Sequence, residues 1–500
     1  MLARVFSYVL VGIDAIICDV EVNVTRGGLR KTTLVGLPQQ AVKESSQRVD
    51  HAIENSGFPI QARQLTINLA PADVKKEGPS LDLPIAIGML RADGFLKGDV
   101  SREYLLAGEL ALDGRLRRIK GALAAAMVAK SKGFRGILVP AENAREAAVV
   151  EGIDVISVST LQQAVGFLNG SMEIEPFTID TATATQSGKA ADLDFADVRG
   201  QEAVKRAITI CAAGAHNLLM IGPPGTGKTM LASRMPGILP PLTREESLET
   251  TRIYSALGLL PDDIALLDQR PVRTPHHSAT AQALVGGGSI PRPGECSLAH
   301  NGILFLDELP EFSRYVLEML RQPLEGGEVT IARVQGSMKF PARFMLVAAM
   351  NPTASGKSSG DPRARDKYLE KLSQPLLDRI DVHVEVPAVP YHELTGKRAG
   401  TSSKSMREQV LMARQAQSKR LGSGRTNSSM DSRELRQHGE LNDASLHMMK
   451  MAMEELGLSA RAFDKVRRVA RTIADMEEKP TIDESHVAEA VQYRLLDRKN

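Results

Sequence analysis

The chain has 500 residues, 43% hydrophobic and 24% charged, with a formal net charge of +2; that length suits about three folding units, and so mild a charge argues against nucleic-acid binding through bulk electrostatics alone. Aromatic residues make up 4% and Trp is missing, which argues against base-stacking platforms. Cys18, Cys211 and Cys296 are far apart and form no C-x-x-C pair, which leaves neither a disulfide framework nor a cysteine zinc site.

Met1–Cys18 imitates a signal peptide, with Arg4 before an apolar stretch, but Asp14 interrupts that stretch and no small-residue cleavage site follows. It reads as a buried strand. No uncharged apolar run of about 18 residues occurs, so no membrane span and a cytoplasmic location are expected. Leu65–Ala70 reads as a strand, followed by a turn-rich segment and an apolar helix through LDLPIAIGML. GILVP (Gly136–Pro140) and Val155–Val158 continue the alternation, which predicts a sheet flanked by helices. Asp180–Asp194 is polar and aperiodic and reads as a linker. Polar Gly396–Ser405 and the patch Leu421–Ser429 flank a helical pattern over Met406–Arg420, and Arg461–Met476 repeats every 3.6 residues. The expected division is an N-terminal α/β domain over 1–175, a linker over 176–194, a central α/β core over 195–392 and a helical domain over 393–500.

The central part carries the chemistry. GPPGTGKT, from Gly222 through Pro223, Pro224, Gly225, Thr226, Gly227 and Lys228 to Thr229, fits G-x-x-x-x-G-K-[ST]. It follows the strand-like NLLMI and precedes a helix, the context in which backbone N–H groups cradle phosphate. Lys228 would place a charge on the β- and γ-phosphates of ATP, and Thr229 a hydroxyl on Mg2+. GILFLDE (Gly302–Glu308) is a buried-strand run ending in two carboxylates, with Asp307 placed to hold Mg2+ and Glu308 to polarise the attacking water.

GPPGTGKT, FLDE, FMLVAAMNP, LLDRIDVHVEVP and LSARAFDKVRRVARTIAD, in that order, resemble an AAA+ ATPase of the magnesium-chelatase-like branch. VGLPQQAVKES, TINLAPADVKKEGPSLDLPIAIGML and PRPGECSLAHNGILFLDELPEF extend the resemblance over nearly the whole chain to the ComM (YifB) family. The resemblance implies a P-loop AAA+ core, an N-terminal domain like that of Lon protease (ribosomal S5 domain 2-like) and a C-terminal helical lid. It also implies Asn351 as the residue orienting the hydrolytic water, Arg379 as an arginine finger and Arg461 as a second sensor. A homo-oligomeric ring, a hexamer, and action on DNA follow from it too, with a metal-insertion ATPase and an ATP-dependent protease as the alternatives.

Four features bear on those alternatives. After Asn351, where many relatives have a cysteine cluster, this chain reads PTASGKSSGDPRARD, so no metal site is expected there. His276 and His277 lack the spacing of a metal set and read as loop residues. GPSLD (Gly78–Asp82) sits where the Lon-like fold carries its serine. Leu123 falls at the place of the lysine, however, with Lys120 a helical turn away, so Ser80 reads as a helix N-cap rather than a nucleophile. Lastly, Lys397, Arg398, Lys404, Arg407, Arg414, Lys419, Arg420 and Arg425 oppose only Glu408 between Gly396 and Arg425, eight minus one. Such a run is usually a solvated basic face, though it leans towards DNA; Arg333, Lys339 and Arg343 add charge to an apparent hairpin over Glu328–Arg343, which the resemblance places at the pore, where it could grip phosphates.

Overall fold

The computed structural model describes residues 2–26, 31–60, 63–97, 102–179, 193–288, 291–333, 336–353, 368, 370–391, 393, 400–494 and 496. Most of the expected linker, Lys397, Arg398, nearly all of the segment after Asn351 and the side chain of Arg333 lie outside these. The chain divides into two compact units, Met1–Gln186 with Ser247–Asp268, and Ser187–Glu246 with Gln269–Asn500. No helix among the described residues is long and apolar enough to cross a membrane.

The first unit is built on β1 (Leu2–Val11), β2 (Asp14–Arg26), β3 (Lys31–Val35), β4 (Arg63–Ala70), β5 (Tyr104–Leu106), the short pair β6 (Glu109–Leu110) and β7 (Leu116–Arg117), β8 (Gly136–Pro140) and β9 (Asp154–Val158). Seven of these form a mixed sheet in the order β3-β4-β2-β1-β5-β8-β9. The single strand expected over Met1–Cys18 is an antiparallel hairpin, because Gly12, at φ 69, turns the chain before Asp14. Alternate residues feed two cores: Val5 and Val9 join one apolar cluster, whereas Tyr8 joins the other with Leu105, Ile137 and Val139. The helices Gln40–Asn55 and Asp82–Ala92 fill the first cluster, and Ala122–Ser131 fills the second.

Residues 247–268 complete this unit although they come from far along the chain. Leu266 and Ala265 pack with Leu123 and Val149. The buried Glu146 carboxylate accepts the Leu123 N–H at 3.0 Å, the Asn143 amide at 3.2 Å and the Ser255 hydroxyl. Arg118 donates to the Leu260 carbonyl at 2.6 Å.

Ser80 is not an N-cap. It lies inside a 3-10 turn, Pro79–Leu81, that runs straight into the helix Asp82–Ala92, whose start has no side-chain cap. Asp82, fully buried, takes the Arg48 guanidinium on both oxygens at 2.7 and 3.0 Å. Lys120 runs its side chain beside Gly258, where a Cβ would stand 3.0 Å from its Cε.

The second unit holds β10 (Leu218–Ile221), β11 (Val272–Arg273), β12 (Gly286–Gly287), β13 (Arg292–Pro293), β14 (Ile303–Leu306), β15 (Glu328–Arg333), β16 (Gly336–Pro341), β17 (Met345–Met350) and β18 (Val382–Glu385). Five form a wholly parallel sheet in the order β11-β14-β17-β10-β18. The uninterrupted apolar runs LLMI, ILFL and MLVAAM are buried throughout, as a parallel sheet covered on both faces requires. β15 and β16 make the expected hairpin. C-terminal to the sheet come the helices Ser403–Leu421, Ser432–His438, Asp443–Leu456, Ala460–Met476 and Glu484–Gln492. Val466, Val469 and Ile473 of the fourth share one core with Leu218 and Val382.

A buried polar junction ties that helix to the sheet. Asp381, just before β18, accepts from Lys465 at 2.6 Å and from the Asn217 N–H at 3.0 Å, with His216 at 3.7 Å. Burial by itself would raise its carboxyl, but Lys465 and His216 outweigh burial and hold it below the usual carboxylate range. Lys465→Met should cost about 3–5 kcal/mol in denaturant unfolding, because it strands a buried charge. A depressed carboxyl stabilises the fold above its unfolded value, about 3.9, and the contribution fades as pH falls. The difference between parent and variant should therefore shrink below about pH 4.

Candidate functional site

The parallel sheet brings Gly222–Thr229, Asp307, Glu308 and Asn351 to one edge. β10 runs directly into Gly222–Thr229, where Gly225 and Gly227 adopt φ 81 and 87, conformations that side chains resist. Gly222 has no room for a side chain, since a Cβ there would meet the Val386 carbonyl oxygen at 2.3 Å. The loop is braced from outside by Gln201, whose amide donates to the carbonyls of Thr226 at 2.9 Å and Pro387 at 3.1 Å.

Lys228 opens the helix Lys228–Arg234 and turns its ammonium back into the loop. It donates to the carbonyls of Gly222 at 2.7 Å and Pro223 at 2.9 Å and to Asn351 Oδ1 at 3.2 Å. Burial lowers its amine from the ordinary lysine value, while Asp307 and Glu308 pull it the other way. Asn351 stands at the end of β17, the strand paired with β10. Thr229 donates its hydroxyl to Asp307 Oδ2 at 2.7 Å, and Asp307 Oδ1 accepts the Glu308 N–H at 2.9 Å. The adjacent Lys228 and Thr229 thus bond Asn351 and Asp307 respectively, on the two strands beyond β10.

Glu308 sits beside them in a left-handed backbone conformation, φ 51 and ψ 48, which costs a non-glycine residue on the order of 1 kcal/mol or more. Its Oε2 lies 3.3 Å from His277 Nδ1. His277 is held in turn by the His276 ring, 4.0 Å away between centroids, and by the edge of Phe312. The histidine pair lies in the loop after β11, which carries His277 onto the carboxylate.

Arg379 and Arg461 lie apart from this cluster and close to each other. The Arg379 side chain is only 9% exposed and pairs with Glu325 on the helix Arg321–Gly326 and with the Pro375 carbonyl. Its Nε has no hydrogen-bond partner among the described residues, and burial lowers the guanidinium. Arg461 is 67% exposed and 4.0 Å from Asp378.

The basic run is less available than its charge count suggests. Arg414 donates to the Ala212 carbonyl, Arg420 binds Asp475 on both oxygens and Arg425 pairs with Glu434. Lys404, Arg407 and Lys419 remain exposed. On the hairpin, Lys339 pairs with Glu328 at 2.6 Å. No cluster of three His, Cys, Asp or Glu that could hold a metal occurs among the described residues. The contacts of Gln201 with Thr226, of His277 with Glu308 and of Glu325 with Arg379 follow from no spacing pattern in the sequence.

The family described as "Magnesium chelatase, subunit ChlI" matches residues 194–394. "Subunit ChlI of Mg-chelatase" matches 20–143, and "Magnesium chelatase, subunit ChlI C-terminal" matches 400–494. The chain is 45% identical to competence protein ComM of Haemophilus influenzae over 508 residues, covering 99% of this chain and 98% of that protein. It is 44% identical to YifB of Escherichia coli over 505 residues, with the same coverage. Against the magnesium-chelatase 38 kDa subunit of Rhodobacter capsulatus it is 28% identical over 211 residues, 38% of this chain and 55% of that protein. With such identity along essentially its whole length, the chain belongs to the ComM/YifB family of magnesium-chelatase-like AAA+ proteins.

Proposed function

We propose that the chain is a ring-forming ATPase, a hexamer, that couples ATP hydrolysis to the remodelling of DNA. The observation that carries the ATPase reading is the meeting of Lys228 with Asn351 and of Thr229 with Asp307, next to Glu308, at one sheet edge. The residues fit a nucleotide with its metal: the loop has glycines at positive φ, as a loop that wraps phosphate with its backbone needs, and a hydroxyl and carboxylate already meet at 2.7 Å. Mg2+ held through Thr229 and Asp307 would neutralise charge on the β- and γ-phosphates. Lys228 holds phosphate oxygens, Asn351 orients water and Glu308 accepts its proton. Arg379 acts on a neighbouring subunit, exchanging Glu325 for phosphate, and Arg461 serves as second sensor on a C-terminal helical lid.

The DNA reading rests on the relative named as a competence protein and on exposed Lys404, Arg407 and Lys419 along one helix; it points to translocation or branch migration in recombination or natural transformation. The family descriptions, all naming a chelatase subunit, favour metal insertion as the second reading. The first unit is proposed as a Lon-like domain without proteolysis, since Leu123, buried in the apolar core, stands at the place of the family's lysine.

Lys228→Ala should abolish ATP turnover with thermal melting within a few degrees of the parent. Glu308→Gln should still bind ATP while turnover falls by roughly 10²- to 10⁴-fold. Normal hydrolysis in either variant would remove the reading. Forked or branched DNA should raise the ATPase rate and bind with an affinity that falls steeply and log-linearly with salt. Stimulation by a tetrapyrrole and metal, with no DNA binding at low salt, would select the chelatase reading instead. Finally, mixing Lys228→Ala with Arg379→Ala subunits should restore part of the activity that each lacks alone, once labelled chains are seen to enter common rings. Background activity in demonstrably mixed rings would rule out a finger acting between subunits.

A further inference from the structure

We infer that His277 is a positioning residue for Glu308, fixing the orientation of the carboxylate that works on the attacking water. The inference rests on the ATPase reading above and concerns a residue to which that reading gives no part.

Glu308 needs such a partner more than its neighbours do. Asp307 is fixed by two hydrogen bonds, from Thr229 and from the Glu308 N–H, and Lys228 by three. The Glu308 side chain is 55% exposed and springs from a left-handed backbone, with several freely rotating bonds between that backbone and the reacting oxygens. Among the described residues, His277 is the side chain that meets its carboxylate, with Nδ1 3.3 Å from Oε2. A small rotation of the ring makes this a hydrogen bond, and catalytic contacts of this kind tighten when substrate arrives.

The imidazole is well suited to hold a carboxylate in place. The His276 ring stands 4.0 Å away between centroids and Phe312 meets the imidazole in a T-shaped contact at 6.5 Å, so two rings pack against the half-buried imidazole. Phe312 is itself buried and follows Glu308 by four residues on the same connection from β14. The carboxylate and its holder are therefore set against one rigid element. His276 is engaged elsewhere, with Nδ1 at 2.8 Å from the Ser278 hydroxyl, which leaves His277 as the ring that faces Glu308. With Oε2 directed by Nδ1, Oε1 is left to accept from water. Orientation errors of about 1 Å at a reacting group cost up to 10²-fold in rate.

The test is steady-state ATPase kinetics, ATP binding and melting on full-length His277→Ala and His277→Asn, with Lys228→Ala and Glu308→Gln as controls. His277→Ala should lower kcat by roughly 10- to 100-fold and leave KM, ATP affinity and melting temperature near the parent values. His277→Asn, whose amide N–H stands close to the place of Nδ1, should recover much of kcat. A kcat within twofold of the parent in His277→Ala overturns the inference. So does a raised kcat, which would mean that the imidazole restrains Glu308 rather than aligning it, and so does a loss that falls on KM or melting and is not recovered by Asn. If the two controls hydrolyse ATP normally, the ATPase reading itself has failed, and that result is distinct from any of these.

Discussion

The pairing of β10 with β17 on one side and β18 on the other, parallel in both cases, is the constraint on which the site depends. Parallel strands end on the same edge, so the connections after β10, β14 and β17 leave the sheet side by side. The glycine loop, the Asp307–Glu308 pair and Asn351 occupy three of those connections, and none could reach the others from an antiparallel neighbour without crossing the sheet. A strand of four residues, Leu218–Ile221, thereby sets the spacing of the whole cluster. Asn217, just before it, reinforces this by donating to the Arg379 carbonyl and accepting the Leu346 N–H.

The sequence made much of this legible because phosphate and metal chemistry leave little choice of residue. A loop that wraps its N–H groups inward must have glycine where φ is positive, and Gly225 and Gly227 are found there. Carboxylates at a strand end are usually a solvated turn, and Asp307 and Glu308 stand out because they follow a buried apolar strand in a chain that also carries the phosphate loop. Long periodic segments were equally readable: Arg461–Met476 is helical to within a residue, and Leu65–Ala70 lies inside β4. Gly12 was the missed cue at the N-terminus, where one turn residue divides an apolar stretch into two strands.

What could not be read was partnership. His277 and Glu308 are separated by 31 positions and Gln201 and Thr226 by 25, and only the closed sheet brings them together. Charge counting failed for the same reason. Arg414, Arg420 and Arg425 look like part of a basic face in the sequence, yet each is spent on a carbonyl or carboxylate of its own chain. Ser80 satisfied the residue preference of a helix cap but not its geometry, since the 3-10 turn before Asp82 leaves no extended residue to do the capping.

The inclusion of Ser247–Asp268 in the first unit has a consequence for the order in which the protein is made. A chain emerging from the ribosome exposes its N-terminal sheet long before residue 268, and domains that are contiguous in sequence can close as they appear. This one cannot, because Leu123 and Val149 wait for Ala265 and Leu266, and Glu146 waits for Ser255. By then the phosphate loop and its helix, Gly222–Arg234, have already been synthesised. The two units are therefore interleaved during translation, and the N-terminal one reaches its full set of contacts only after the heart of the ATPase region has left the ribosome.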